Sequence, residues 1–436
     1  MQTSLETLGE LERRLTMSVP VAQIEREIAQ RLARLAKNTK VPGFRPGKVP
    51  MKMVAQQYGP QVRSDVISDA VKATFTDALR EQNLRIAGYP RIEPKTEAAT
   101  PDLLEFSAVF EVYPEVRIGD LSDVTVERPL AHVGPDDVEQ TIAMLRRQRT
   151  RYERVARGAA TGDRVVVDFS GTIDGVAFPG GQASDFSIVL GEGRMLPEFE
   201  TAIAAMKEGE STTFGLTFPA DYHGKEVAGK IAQFSLTVKS VEAGHLPELD
   251  GDFVRTFGVA SGELDDLKAE IASNLGLELK RKIETAVKEQ VFTALRQKAT
   301  FMLPKSLVET EAQNMAQRMV AEMREKGMRA EEINLTPDMF RANAETRVAL
   351  GLILSEIVRA EGLSAKPEQV KALLQEAAQT YEQPDAVVRW HYEKPERLSD
   401  FEALAVEHNV VAWVLERVQV EDKPVAFADL MGTNRS

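Results

Sequence analysis

The chain has 436 residues, enough for two to four domains at roughly 100 to 200 residues each. Apolar residues make up 43% and charged residues 28%, which excludes a wholly disordered chain. The absence of cysteine excludes disulfides, thiolate nucleophiles and cysteine-ligated zinc. Because neither a secretory signal nor an apolar run of about 18 residues is present, we expect a cytoplasmic protein without a membrane partner.

Charge is distributed unevenly along the chain. Residues 1–113 hold 16 Lys and Arg against 14 Asp and Glu, whereas the remainder holds 38 against 53. Eight cations and no acidic residue occur from Ile28 to Arg63, namely Arg31, Arg34, Lys37, Lys40, Arg45, Lys48, Lys52 and Arg63. The net charge of −13 argues against a polyanionic partner for the whole chain, but this basic stretch could contact one.

The first predicted element is a helix from Val21 to Leu35, where apolar residues recur at three- and four-residue spacing. Three prolines and two glycines between Val41 and Pro50 then predict a loop. A second helix is predicted around residues 62–78, and alternation over 104–112 predicts a half-buried strand. Residues 1–113 are therefore predicted to form an α+β domain.

Residues 114–149 look like a connector, with a short strand near Val124 and a cationic helix that includes Arg146, Arg147 and Arg149. Residues 150–245 are predicted to be β-rich. Apolar residues alternate in three stretches, Asp174-Gly175 is typical of a hairpin turn, and one short helix is expected from Pro197 to Met206.

Residues 246–436 are predicted to be helical, because apolar residues recur at helical spacing from Leu264 to Ile283. Prolines mark helix starts, and Gly327 and Gly362 mark helix ends. Helices of this length can form a closed bundle or arms around a hollow, and the sequence leaves both open. The predicted fold class is multidomain α+β: an α+β domain, a β-rich domain and an all-α C-terminal domain with long helical arms.

The proline-rich loop carries the most specific motif. Residues 43–50 read GFRPGKVP, and this resembles the ribosome-docking signature of trigger factors, G-F-R-x-G-x-x-P, at every fixed position. The resemblance implies a ribosome-binding domain at 1–113 with contacts made by Gly43, Phe44, Arg45, Pro46, Gly47, Lys48 and Pro50. A stiff loop costs little entropy to order, while Arg45 and Lys48 can meet phosphate. The alternative is a solvated surface loop.

The middle segment resembles FKBP-type isomerases, with DFSGTIDG at 168–175, LGEGRMLP at 190–197 and EGE at 208–210. The resemblance implies a peptidyl-prolyl cis-trans isomerase at 150–245. Its pocket and catalytic residues would be Phe169, Phe178, Phe186, Met195, Leu196, Phe199, Tyr222, His223 and Phe234. The alternative is that these side chains only fill a core. Pro179 and Glu198 depart from the usual Asp and Gly, so modest turnover is expected.

The helical region has a methionine stripe at Met315, Met319 and Met323, spaced for one helix face. Flexible thioethers suit surfaces that accept many apolar sequences, whereas ordinary core packing explains the same stripe. The likeness to trigger factors favours a client-binding helical domain at 246–436. No histidine pair has metal-ligand spacing and no phosphate-binding loop is present, so we expect no metal, cofactor or ATP use.

The chain is thus identified from its motifs as a member of the trigger factors, and this resemblance implies an ATP-independent chaperone with isomerase activity. Its expected partners are the large ribosomal subunit, through exit-tunnel protein and rRNA, and nascent or unfolded polypeptides. A weak homodimer of the ribosome-free chain is also expected. Two rivals remain: a free-standing FKBP-type isomerase with recruiting domains, and a ribosome-independent cytosolic isomerase and holdase.

Overall fold

The computed structural model describes residues 3–38, 49–95, 102–222, 224–328, 335–379, 381 and 383–432. Two compact units divide the chain, one formed by Met1–Arg128 with Thr285–Asp422 and the other by Pro129–Glu284 with Lys423–Ser436. Among the described residues, no helix is both long and apolar enough to cross a lipid bilayer.

The helices and strands follow in chain order. The strands are Thr3–Thr7 (β1), Glu12–Pro20 (β2), Ile86–Pro94 (β3), Leu103–Val112 (β4), Arg117–Ile118 (β5), Thr125–Leu130 (β6), Arg151–Arg154 (β7), Arg164–Ile173 (β8), Val176–Val189 (β9), Ser211–Thr217 (β10), Ile231–His245 (β11), Ala299–Thr300 (β12) and Gln419–Pro424 (β13). The helices are Val21–Asn38 (α1), Met51–Glu81 (α2), Pro135–Gln148 (α3), Pro197–Ile203 (α4), Gly251–Arg255 (α5), Leu264–Lys298 (α6), Lys305–Glu325 (α7), Arg341–Glu361 (α8), Pro367–Ala378 (α9), Pro384–Tyr392 (α10), Ser399–Leu415 (α11) and Phe427–Met431 (α12). Short 3-10 turns cover Pro337–Phe340 and Pro395–Leu398.

The first unit contains an antiparallel sheet in the order β1-β2-β4-β3. Alternate residues of β2 and β4, including Met17, Ala108 and Phe110, turn inward and are buried beneath α2. Phe75 of α2 meets Phe110 edge to face, with ring centroids 5.4 Å apart. The predicted α+β character of this segment is confirmed.

Helix α2 is longer than the periodicity predicted, because it begins at Met51 and continues through Pro60. Pro60 removes one backbone hydrogen bond of the helix. Val54 and Val62 are nevertheless buried in one cluster with residues of α1, so tertiary packing holds the helix together across the proline. The cost of one hydrogen bond is small beside the burial of several apolar side chains.

The long helices predicted for the C-terminal region are present, but the region is not entirely helical. The short strand β12 pairs antiparallel with β5, and β13 pairs with β6. The predicted helical character of this region is confirmed, and two short strands accompany the helices. The sequence did not predict β13, because each of its residues is exposed and apolar residues do not alternate along it. A partner strand and the pair between Arg128 and Asp422, at 2.6 and 3.0 Å, hold β13 in place.

The second unit contains a five-stranded antiparallel sheet in the order β10-β11-β8-β9, with β7 paired to β11. Asp174 and Gly175 form the predicted hairpin turn between β8 and β9, both with positive φ, as such two-residue turns require. A separate cluster packs α3 and α5 against the start of α6 through Ile142, Val254 and Leu267.

Candidate active site

Helix α4 packs against the inner face of the five-stranded sheet and supplies the floor of a cleft. Pro197 occupies its first turn, where the missing N–H costs nothing. Phe199 and Ile203, one turn apart, are 1% and 0% exposed and lie within the sheet's core cluster. Local sequence thus fixes both the start of the helix and the side that it buries.

Phe199 lies at the centre of a group of aromatic rings. Its ring centroid is 5.3 Å from that of Phe169, 5.5 Å from that of Phe214 and 5.6 Å from that of Phe234. All three pairs are edge to face, an arrangement that adds about 0.5–1.5 kcal/mol each beyond area burial. The floor is therefore rigid and apolar.

A cleft of about 530 Å³ opens above this floor. Seven of the nine residues predicted for the pocket lie around it: Phe169, Phe178, Met195, Leu196, Phe199, Tyr222 and Phe234. The cleft is apolar, with aromatic walls, and has the volume typical of small-ligand sites. The structure thus brings these seven side chains together, and the catalytic role of the seven residues stays a prediction.

Phe186 and His223 are the two remaining residues predicted for the pocket. Phe186 is 39% exposed and is not among the lining residues, although its ring meets Phe169 edge to face at 5.7 Å. Register shifts in the pairing of β8 with β9 disturb the alternation near it, and Asp185 has a positive φ. We therefore correct its predicted position from pocket wall to neighbour of the cleft. His223 lies outside the described residues.

Eight further residues line the cleft: Pro179, Gly180, Gly193, Arg194, Leu216, Phe218, Gly224 and Val227. Phe218 follows β10 directly, and the alternation of Phe214, Leu216 and Phe218 in the sequence predicted that it faces the same side as the first two. Its ring centroid lies 4.8 Å from that of Tyr222. The sequence did not predict the lining glycines, since a glycine contributes only backbone atoms to a cleft wall.

The loop of residues 191–196, here named the rim loop, leads into α4. Gly191 and Gly193 both have positive φ, and a Cβ on Gly191 would lie 2.5 Å from Thr161 Cγ2. The Gly191 N–H donates to Glu200 Oε2 at 3.0 Å. Glycine is thus required for the bend, and α4 itself fixes the loop.

Asp168, next to Phe169 in the chain, contacts backbone and charged groups of the sheet. Asp168 accepts a hydrogen bond from the Asp185 N–H at 2.7 Å, and Lys239 Nζ lies 3.7 Å from Asp168. The hydrogen bond with Asp185 raises the pKa of Lys239. Among the described residues, no group of three His, Asp or Glu could hold a metal ion.

The predicted ribosome-binding segment lies mostly outside the described residues, which include only Pro50 of its seven predicted contacts. At its C-terminal end Val49 is 7% exposed and Pro50 is the residue that precedes the first turn of α2. Of the basic stretch, Arg31 pairs with Asp69 at 2.7 Å and Arg63 with Glu25 at 2.6 Å, so these two cations fasten α1 to α2. Arg34, Lys37 and Lys52 are exposed.

The predicted methionine stripe divides along α7. Met315 packs against the cluster of Val308, Ala312 and Ala344. Met319 is 36% exposed, and Met323 is half-buried. Core packing thus explains Met315, while Met319 is available at the surface.

Comparison with known proteins finds family matches along most of the chain. Bacterial trigger factor protein matches residues 1–145, FKBP-type peptidyl-prolyl cis-trans isomerase matches 156–239, and the bacterial trigger factor C-terminus matches 263–416. A trigger factor of Aromatoleum aromaticum is 53% identical over 432 residues, which cover 99% of each chain. One of Azoarcus sp. is 50% identical over 435 residues, again 99% of each.

A solved trigger factor chaperone structure aligns with 95% of this chain and 99% of its own, at 18% identity and with a TM-score of 0.48. The chain belongs to the trigger factor family and is a chaperone that carries an FKBP-type peptidyl-prolyl cis-trans isomerase domain.

Proposed function

We propose that this chaperone isomerises X-Pro bonds in the cleft above Phe199 and docks on the large ribosomal subunit through residues 43–50. The observation that carries the first part is the apolar cleft itself, where seven predicted side chains meet. The N-terminal family match favours a ribosome-associated chaperone over the ribosome-independent rival.

The cleft suits a reaction that requires no nucleophile. Rotation about an X-Pro amide breaks resonance, with a barrier of about 20 kcal/mol, and leaves all covalent bonds intact. The twisted amide has less charge separation than the planar one, so transfer into an apolar cleft penalises it less. The Phe199 floor would hold the proline ring, and the Tyr222 phenol is of the type that can donate to a substrate carbonyl. Catalysis is then differential binding of the twisted form.

The test compares cleft variants with an exposed control in the same sheet. Phe178→Ala and Tyr222→Ala should each lower kcat/KM for a prolyl tetrapeptide by about two- to tenfold, since one aromatic contact is worth about 0.5–1.5 kcal/mol. Ile231→Ala, which alters a 68% exposed side chain, should leave it within about twofold. Unchanged turnover in both cleft variants, with native circular dichroism, would exclude this cleft as the site.

The proposed ribosome contact rests on the signature of residues 43–50 and on its anchored ends. Helices α1 and α2, which precede and follow this segment in the chain, pack together through buried apolar side chains and carry two ion pairs. Phe44 would be an apolar anchor, and Arg45 and Lys48 would meet rRNA phosphate or acidic side chains of exit-tunnel protein. A ribosomal partner also implies work in the cytoplasm.

Nascent and unfolded polypeptides are the proposed clients of the helical region, with Met319 and Met323 as candidate contacts and Met315 left to the core. Weak, exchangeable contacts suit thioethers. We also propose that the domains meet at residues 113, 149 and 245. A weak homodimer of the ribosome-free chain is proposed as well.

A further inference from the structure

Strand β10 forms one edge of the five-stranded sheet and lacks the sequence features that usually protect an edge. Within the described residues it pairs with β11 alone, through seven residues in unbroken register. Its sequence, STTFGLT, contains no charged residue and no proline. Edge strands normally carry charge, proline or a bulge, because an unprotected row of N–H and C=O groups pairs readily with a further strand.

The other edge strands of the two larger sheets carry such features. Strand β1 includes Glu6, and β3 contains Pro90 and a shift in register. Strand β9 contains Pro179 and two shifts in register, and β7 has three charged residues in four. Of the edges that the structure describes in these two sheets, β10 is therefore the one open to a further strand.

Alternate residues of β10 direct their backbone N–H and C=O groups away from β11. The Glu210 carbonyl accepts from the Val238 N–H at 2.9 Å, and the Phe218 N–H donates to the Lys230 carbonyl at 3.0 Å. Because bonded and non-bonded pairs alternate along an antiparallel ladder, the even-numbered residues are those that bond to β11. The outward groups belong to four exposed residues, Ser211, Thr213, Gly215 and Thr217.

The C-terminal end of β10 borders the proposed isomerase cleft. Leu216 lines the cleft, and so do Phe218 and Tyr222 just beyond the strand. A polypeptide whose proline occupies the cleft continues on both sides of it, and five extended residues at about 3.3 Å each are long enough to run along most of β10. Proline has no N–H and cannot join the interior of a ladder, whereas its neighbours can.

We infer that the open edge of β10 binds the extended substrate segment next to the proline, as an added strand. The inference rests on the proposed assignment of the cleft as the isomerase site. The recognised chemistry is polypeptide main chain, and residues 211–217 carry no charge with which to select among substrates. Main-chain hydrogen bonds give affinity that depends little on side chains, which suits a chaperone that meets many sequences.

The experiment measures kcat/KM of the full chain for a prolyl tetrapeptide and for the same peptide extended by five neutral residues, before or after the proline. NMR exchange follows the isomerisation, so no coupling protease is needed. The readout is the ratio of the longer to the shorter peptide, in which any effect shared by both cancels. We expect a ratio of about three to ten for one of the two extensions. Esters in place of the amides of that extension remove its N–H donors and should bring the ratio to about one.

Thr213→Pro tests the protein side of the contact. It removes an outward N–H without removing a bond to β11, and its ring stands where the added strand would lie, so the ratio should approach one. Thr213→Val keeps the N–H and should retain the native ratio. A native ratio near one for both extensions, an undiminished ratio with the ester peptide, or an undiminished ratio in folded Thr213→Pro would overturn the inference.

Tyr222→Ala separates this failure from failure of the proposed site. If that variant lowers turnover of both peptides while the native ratio is one, the cleft is the site and only the role of β10 is wrong. If Tyr222→Ala folds and turns over both peptides normally, the proposed site falls as well.

Discussion

Replacing Gly88 by alanine should loosen the contact between β3 and the start of α7. Gly88 has φ of +80°, and a Cβ built on it would lie 2.7 Å from both Cβ and Oγ of Ser306. Ser306 Oγ lies 2.6 Å from the Ala87 carbonyl oxygen and 2.6 Å from Glu111 Oε2. The Ser306 N–H also donates to Glu111 Oε2, at 2.8 Å. The contact therefore has no room for a methyl group.

The magnitude follows from two costs. An alanine held in the left-handed region costs about 1–2 kcal/mol. Moving α7 away to admit the methyl group breaks the bonds to the Glu111 carboxylate, and hydrogen bonds to charged groups are worth about 1.5–3 kcal/mol. We therefore expect Gly88→Ala to lower the free energy of unfolding of this unit by about 3–5 kcal/mol.

Urea unfolding followed by tryptophan fluorescence measures this, because both tryptophans, Trp390 and Trp413, belong to the same unit as Gly88. Gly362→Ala is the matched control: its φ is +70°, and among the described residues beyond its chain neighbours and its own helix backbone, no atom lies within 4 Å of the added Cβ. It should cost only about 1–2 kcal/mol. Equal destabilisation by the two variants would refute the steric argument. Adding Ser306→Gly removes the colliding atoms and should recover part of the loss.

Three further predictions concern the isomerase domain and the methionine surface. Asp163→Ala should destabilise its unit by about 2–3 kcal/mol at pH 7. Burial raises the Asp163 pKa, but hydrogen bonds, chiefly from Arg157, outweigh this and lower it. In urea unfolding, the stability of the native chain over the variant should therefore fade below about pH 4, and a pH-independent difference would contradict this. Gly171→Ala places a methyl group 2.6 Å from the Phe234 ring and should reduce peptide isomerisation about tenfold or more, whereas normal turnover would show that the ring has space to move. Met319→Gln should shorten the delay in aggregation of an unfolded client without changing stability by more than about 0.5 kcal/mol, and an unchanged delay would remove Met319 from the client surface.

Sequence patterns predicted elements whose signal is local. The helix from Val21, the strand over 104–112 and the turn at Asp174-Gly175 all follow from spacing or turn chemistry. Contacts such as that of Ser306 with Glu111, 195 residues apart, leave no such signal. Strand β13 likewise leaves no local signal in the sequence, since an exposed segment forms a strand only because the edge of a partner strand is available.

The cleft residues likewise divide into those that the sequence predicted and those that it did not. The family resemblance located Phe169, Phe199 and Phe234: the first belongs to a motif, the second lies on the short helix that follows one, and the third is in an alternating strand. Phe186 was misplaced because register shifts between β8 and β9 alter which side chains turn inward. Arg194 was missed as a lining residue, since a charged residue in a glycine-rich loop resembles any solvated turn.

The most direct test of the proposed ribosome contact is co-sedimentation with vacant bacterial ribosomes across a salt series. The native chain is compared with a triple alanine variant at Phe44, Arg45 and Lys48, and with Lys52→Ala as an exposed basic control just outside the motif. We expect the native chain and the control to pellet at low salt and to be released as salt rises, and the triple variant to stay in the supernatant. If the native chain and the triple variant pellet equally, or if neither pellets, residues 43–50 do not dock this chaperone on the ribosome.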